Sequence, residues 1–198
     1  TKNGEEWTSA TPMLWQSEIP SADIIAYAPY QADISDALAT RKQFPVSVKA
    51  VQTKADLSSD LLVFKAKDYT PTIVGENKDK IVAVKFDHAF SQLMVTFNFD
   101  SAFSNDEVDL SKIEGVRVEG TVLSGVCDFS HDKPQITVQA DAAAASITPE
   151  NVSFQAKDAE HASISAQYSS LLVPQTIQAA NQPLKVSFRL GDSTYSWK

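Results

Sequence analysis

Apolar and polar residues alternate along most of this chain, in short runs parted by turn residues. The clearest runs are Ile24–Tyr30 (IIAYAPY), Val46–Val51 (VSVKAV), Leu61–Ala66 (LLVFKA), Ile81–Phe86 (IVAVKF) and Leu93–Phe99 (LMVTFNF). Further along come Gly115–Glu119, Val122–Phe129, Ile136–Gln139, Val152–Gln155, Ala162–Tyr168 and Leu184–Leu190. A period of two sends successive side chains to opposite faces of an extended backbone, so each run predicts a half-buried strand. Ser193–Lys198 reads as one more strand, folded onto Leu184–Leu190 by a Gly191-Asp192 turn. Many short strands with turn signals between them predict an all-β fold of sandwiches or barrels. Helix signals are few. Ser35–Thr40 predicts a turn or two of helix with Ser35 as N-cap. Ala142–Ala145 is too short and lacks an apolar face, so it predicts a loop.

A polar stretch, Gly75–Lys80, follows Tyr69-Thr70-Pro71 and separates two alternating regions. It divides the chain into an N-terminal β-sandwich domain over residues 1–79 and a C-terminal one over 80–198. Gly115, Gly120 and Gly125 punctuate two strand runs and read as turn and bulge glycines. With 198 residues at 43% hydrophobic, the chain can bury a core in each half.

Charge narrows the partners. A net charge of -8, from 17 basic and 25 acidic residues, repels a phosphate backbone and anionic lipid alike. Only Arg41, Arg117 and Arg189 offer the planar fork suited to bidentate phosphate contacts, so no nucleic acid is expected. No run approaches the roughly 20 apolar residues of a membrane-spanning helix. The chain opens on Thr1 rather than Met, which fits either a processed or a trimmed form and is compatible with a lost signal sequence. Cys127, the single cysteine, has no internal partner and reads as a small buried hydrophobe.

Candidate chemistry is sparse. His88, His131 and His161 lie far apart in the chain and outside paired metal motifs. No nucleophile motif appears, the Ser124-Gly125 pair reads as a turn, and six glycines supply no phosphate-cradling loop. The carboxylates cluster in loops, where a solvated surface is expected; Asn105, Asp106, Glu107 and Asp109 offer oxygens for calcium without the glycine-punctuated loop of a dedicated site. Trp7, Trp15, Tyr27 and Tyr30 are read first as packing residues and second as rings that could stack on sugars. The Asn151-Val152-Ser153 sequon is read as fortuitous. No enzyme activity, metal or cofactor is expected from this set.

Five stretches occur in an order that resembles the fimbrillin family of Bacteroidales, the Mfa-like and FimA-like surface proteins. They are Pro12-Met13-Leu14-Trp15 with Ile24–Tyr30, then Ser59–Phe64 (SDLLVF), then Val84–Val95 (VKFDHAFSQLMV), then Leu171–Gln175 (LLVPQ), and finally Gly191–Trp197 (GDSTYSW). The third is similar to the family's V-x-F-x-H-A-x-(S/A)-x-L-x-V signature. The resemblance implies two tandem transthyretin-like β-sandwich domains, export as a lipoprotein precursor, cleavage by an Arg- or Lys-specific protease, and polymerisation by strand donation. Two departures stand beside it: no N-terminal Cys for lipidation, and a final strand that the family would be expected to extend.

The function expected from the whole is a fimbrial subunit, or an accessory, anchor or tip protein, working in adhesion through β-strand complementation at the cell surface or outer membrane. Its partners would be other fimbrial subunits and a host or bacterial surface ligand. Arg41 and Lys42, before Phe44-Pro45, are the candidate processing residues. Val95, Phe97 and Phe99 with Val186, Phe188 and Leu190 are the candidate lining of a strand-accepting groove. A surface glycan-binding module, acting through Trp7 or Tyr30, is the alternative.

Overall fold

A computed structural model describes residues 2–3, 6–7, 21–30, 34, 42–58, 60–70, 83–139, 141–177 and 183–198. The fold is all-β. Its strands are β1 (Lys2–Asn3), β2 (Glu6–Trp7), β3 (Ala22–Ala28), β4 (Gln43–Ser47), β5 (Leu62–Tyr69), β6 (Asp87–His88), β7 (Ser91–Asn98), β8 (Ile113–Thr121), β9 (Ser124–Asp128), β10 (Gln135–Thr137), β11 (Ala145–Ile147), β12 (Glu150–Gln155), β13 (Ser165–Leu172), β14 (Lys185–Leu190) and β15 (Ser193–Trp197). A short helix, α1 (Lys54–Ser58), follows β4. Thr53 and Asp56 cap it reciprocally: the Asp56 carboxylate accepts the Thr53 N–H at 2.9 Å, and Lys49 lies 2.7 Å away. That Lys49 contact, followed by the Thr53 hydrogen bonds, holds the Asp56 carboxyl down at about 2.

The named strands pair antiparallel, in the orders β1-β2, β3-β5-β6, β10-β9-β4, β12-β13-β7 and β11-β8-β14-β15. Two apolar clusters lie between pairs of sheets. In the first, Phe44 and Val46 of β4 and Cys127 and Phe129 at β9 meet Val63 of β5, with Ile25 and Tyr27 of β3 packed alongside. In the second, Phe97 of β7 and Ala166 and Tyr168 of β13 meet Val116 of β8 and Phe188 of β14. A third cluster joins the two: Val48, just after β4, packs with Val118, Ile147, Leu171, Leu172 and Val173.

Sheet membership crosses residue 80. β9 pairs β4 across the chain, Phe44 opposite Cys127, and β6 pairs β5. The side chain of Lys65, almost fully buried on β5, reinforces this by donating to the carbonyls of Phe129 and His131 at 2.8 Å each. The link between sheet pairs is also polar. Ala50 accepts from the Thr148 N–H, Gln52 donates its N–H to the Thr148 carbonyl, and the buried Gln52 side chain pairs with the backbone of Leu171.

Departures from strict alternation have local causes. Gly115 and Val116 of β8 oppose one residue of β14, a bulge in which Gly115 takes φ +61°. Gly125 cannot be replaced cheaply, because a Cβ there would sit 2.8 Å from the Thr137 carbonyl oxygen. Residues 83–86, within the strand expected over Ile81–Phe86, join no sheet, and Val84 and Phe86 are exposed. The alternation makes this segment competent for pairing but supplies no partner. The Gly75–Lys80 break, Trp15 and the helix expected over Ser35–Thr40 fall outside the described residues.

Candidate functional site

Strand β7 turns Val95 and Phe97 inward and leads to Phe99, while β14 presents Val186, Phe188 and Leu190 from the facing sheet; all six line one cavity of about 570 Å³. Phe97, Phe99 and Phe188 are buried, and the other three are half-buried. Three further rings complete the wall: Phe103, Tyr195 and Trp197. The sequence signal for the last two lay in the hairpin itself. A two-residue Gly191-Asp192 turn sets Phe188 opposite Tyr195 and Val186 opposite Trp197, so both aromatics share the inward face.

The rings form a continuous surface. Phe188 stacks on Tyr195 at 5.1 Å and on Trp197 at 5.8 Å, and meets Phe97 at 4.4 Å between centroids. Phe97 in turn stacks on Trp197 at 5.8 Å. Although they face inward, Tyr195 and Trp197 remain 38% and 53% exposed. β15 is the fourth strand of its sheet, whereas the facing sheet has three, so among the described residues no strand lies over them.

β7 and β15 are both outermost strands among the described residues, and they flank this cavity. Phe99 donates its N–H to the Ile164 carbonyl at 2.9 Å, which fixes the sense of the β7–β13 ladder. Antiparallel pairing alternates, so Phe97, Val95 and Leu93 also turn their backbone groups to β13, whereas Gln92, Met94, Thr96 and Asn98 turn theirs to the open edge.

Other outer strands carry the usual guards against added pairing. β6, β10 and β11 are two or three residues long. β4 contains Pro45, β12 shifts register between Asn151 and Ser153, and β3 shifts register at Asp23. By contrast β7 runs eight residues in unbroken register with no charge and no proline, and β15 runs five with neither.

The remaining candidates are dispersed. Lys42 is exposed, takes φ 55°, and its carbonyl accepts from the Phe129 N–H at 2.8 Å; Arg41 lies outside the described residues. His88 lies 2.5 Å from the Asp60 carboxylate, His131 is 3.7 Å from that of Asp128, and His161 is 2.8 Å from that of Asp158. Among the described residues no group of three or more His, Cys, Asp or Glu side chains is placed to hold a metal ion. In the acidic loop, Glu107 accepts from Ser104, Asp109 accepts from Ser111, and the Asn105 amide pairs with the backbone of Lys157. These bonds, Ser104 to Glu107 and Ser111 to Asp109, draw both carboxyls below their ordinary range. The Asn151 side chain donates to the carbonyls of Ser153 and Gln167 at the β12 bulge. Tyr27 is half-buried against the first cluster, with its ring 6.2 Å from that of Phe44, whereas Tyr30 is 77% exposed. Gln175 of the LLVPQ stretch acts as a substitute strand: its amide accepts from the Val122 N–H at 3.0 Å and donates to the Val173 carbonyl.

Cys127 is fully buried, and burial, with the Asp128 charge adding to it, pushes its thiol up to about 12. Only the thiolate reacts, so a thiol reagent at pH 8 is expected to leave the folded protein unlabelled and to modify it fully in denaturant. Stoichiometric labelling of the native fold would contradict this placement.

The chain matches the fimbrillin-like family model over residues 1–198. No curated protein sequence matches it. Among solved structures, it is similar to a protein from Bacteroides uniformis ATCC 8492 that carries a provisional description as a cell adhesion protein. The two share 17% identity with a TM-score of 0.57, over 91% of this chain. The chain spans 60% of that protein's length.

Proposed function

Since the chain belongs to the fimbrillin-like family, we propose that it is a fimbrial subunit, or an accessory, anchor or tip protein, that assembles by accepting a neighbour's strand between β7 and β15. The observation that carries this reading is the coincidence of the two unguarded edges with the aromatic-lined cavity. An extended polypeptide satisfies the edge backbone of Gln92, Met94, Thr96 and Asn98, and its alternate side chains cover Tyr195 and Trp197. Main-chain hydrogen bonds then give affinity, and the pockets between rings give register. Family membership points to a structural rather than an enzymatic role.

The tandem transthyretin-like arrangement belongs to the same proposal. Its two units are residues 1–79 and 80–198, with β6, β9 and β10 of the second span pairing in the sheets that hold β5 and β4 of the first. Surface or outer-membrane localisation and a lipid-anchored precursor are proposed from the family alone. The alternative, a glycan-binding module, would act through Trp7 or Tyr30, of which Tyr30 is 77% exposed.

Hydrogen exchange tests the groove. The amides of Gln92, Met94, Thr96 and Asn98 are expected to exchange quickly in the isolated chain and slowly in assembled fibres. Equal, fast exchange in both states would remove strand acceptance at this edge. Arg41 and Lys42 are proposed as the processing site. The Lys42 carbonyl is engaged by Phe129, so brief trypsin treatment is expected to cut after Arg41 rather than after Lys42. A folded protein that mass analysis shows uncut at Arg41 would sink that assignment.

A further inference from the structure

The second sheet pair turns two very different faces to solvent. On β12, β13 and β7 the aligned residues Phe154, Ala166 and Phe97 turn to the core, so their neighbours point outward in register: Ser153, Gln167 and Thr96 form one row, and Gln155, Ser165 and Asn98 the next. All six are hydroxyls or carboxamides, spaced about 4.8 Å across the strands and about 6.8 Å along them. Ser153, Thr96 and Asn98 are exposed and the other three half-buried, so the grid is open to solvent. On the facing sheet the outward positions hold charge: Lys185 lies 3.0 Å from Glu119, Arg189 pairs with Glu114, and Arg117 stands between those two glutamates on β8. We propose that the uncharged grid is a binding surface for a neutral, hydroxyl-rich polysaccharide.

The composition of the grid selects that partner. Hydroxyls and carboxamides both donate and accept, as the hydroxyls of a sugar chain do, and the same groups repeated along two rows suit a ligand that itself repeats. Gln167 donates to the Thr96 hydroxyl at 3.3 Å, and Gln155 donates to the Ala156 carbonyl at 2.8 Å and the Asp158 carboxylate at 3.3 Å. Held in this way, the two carboxamides lose little freedom when a ligand arrives. Met94, two residues before Thr96 on the same face, and Val152, beside Ser153 at the β12 bulge, are 51% and 43% exposed and offer apolar contact to the C–H faces of sugar rings. A protein partner would call for aromatic or arginine anchors, and the grid has none. An anionic chain would meet the acidic groups that border the grid, Asp158 and Glu150, on a molecule of net charge -8. The grid lies on the other face of β7 from the aromatic rings of the groove, and its failure would leave strand acceptance standing.

Titration calorimetry of the full chain with soluble dextran, mannan and laminarin tests this, with heparin as the charged control. The parent chain is expected to bind at least one of the neutral three, equally at low and high salt, because no ion pair is involved. In Gln167→Leu with Thr96→Val the volume of the central row is kept and its hydrogen bonds are lost; in Asn98→Ala with Ser153→Ala two exposed positions are trimmed. Circular dichroism and melting curves establish that each variant is folded. Each is expected to bind about tenfold or more weakly than the parent, whereas Tyr30→Ala binds as the parent does. Binding lost in Tyr30→Ala and kept in both grid variants overturns the proposal and moves sugar recognition to that exposed ring. Binding to heparin alone, abolished by salt, overturns it too, since the contact would then be with charge. So does a parent chain that binds none of the three neutral polysaccharides.

Discussion

Replacing Phe188 with alanine is expected to lower stability by about 3–5 kcal/mol, the range for removing a buried phenylalanine. The ring is 3% exposed, and it contacts rings from both sheets: Phe97 at 4.4 Å, Tyr195 at 5.1 Å, and Phe99 and Trp197 at 5.8 Å each. Its position explains the size of the loss. The cavity of about 570 Å³ already lies against it, so the deleted volume merges with existing space and the facing strands have little to collapse onto. Phe188→Leu keeps most of the apolar volume and is expected to cost about 1–1.5 kcal/mol. Urea titration followed by circular dichroism gives both values; an alanine variant within 1 kcal/mol of the parent would show that Phe188 does not hold the two sheets together.

The second large effect is expected at Gln52, which is 3% exposed and makes three hydrogen bonds through its side chain. Its Oε1 accepts from the Leu171 N–H at 2.7 Å, and its Nε2 donates to the carbonyls of Leu171 at 2.9 Å and Lys49 at 3.0 Å. Leucine fills nearly the same volume but leaves those backbone groups unpaired, at a cost of about 2–4 kcal/mol. The bonds reach from the chain leaving β4 to the end of β13, so the variant should also loosen one sheet pair from the other. Hydrogen exchange at Leu171 would then accelerate along with the fall in melting temperature. An unchanged melting temperature in Gln52→Leu would mean that water takes over all three bonds.

Most of the strands were legible because their residues alternate and one face of each is wet. β5, β7, β8, β9, β12 and β14 lie where the alternation of Leu61–Ala66, Leu93–Phe99, Gly115–Glu119, Val122–Phe129, Val152–Gln155 and Leu184–Leu190 put them. The far half of β13 was not legible: Tyr168 to Leu172 is buried at every position, and with both faces covered the period of two disappears. β4 ends at Ser47 rather than continuing to Val51, since beyond it the chain departs to reach Thr148. Strand partners are a separate matter. Nothing in residues 43–47 says that they pair with 124–128, because hydrogen-bonded neighbours in a sheet share no local sequence code. The six groove residues could be chosen because alternation assigns faces; Tyr195 and Trp197 joined them once the hairpin register was known.

The β4–β9 pairing also orders events in time. Gln43 bonds to Asp128 across 85 positions of chain, and the first apolar cluster contains Cys127 and Phe129 as well as Phe44 and Val63. During synthesis the N-terminal third therefore emerges without the strand that closes its core, and loop closure over that distance must precede the burial that rewards it. Until Phe129 has been made, the first of the two sandwiches cannot close its core.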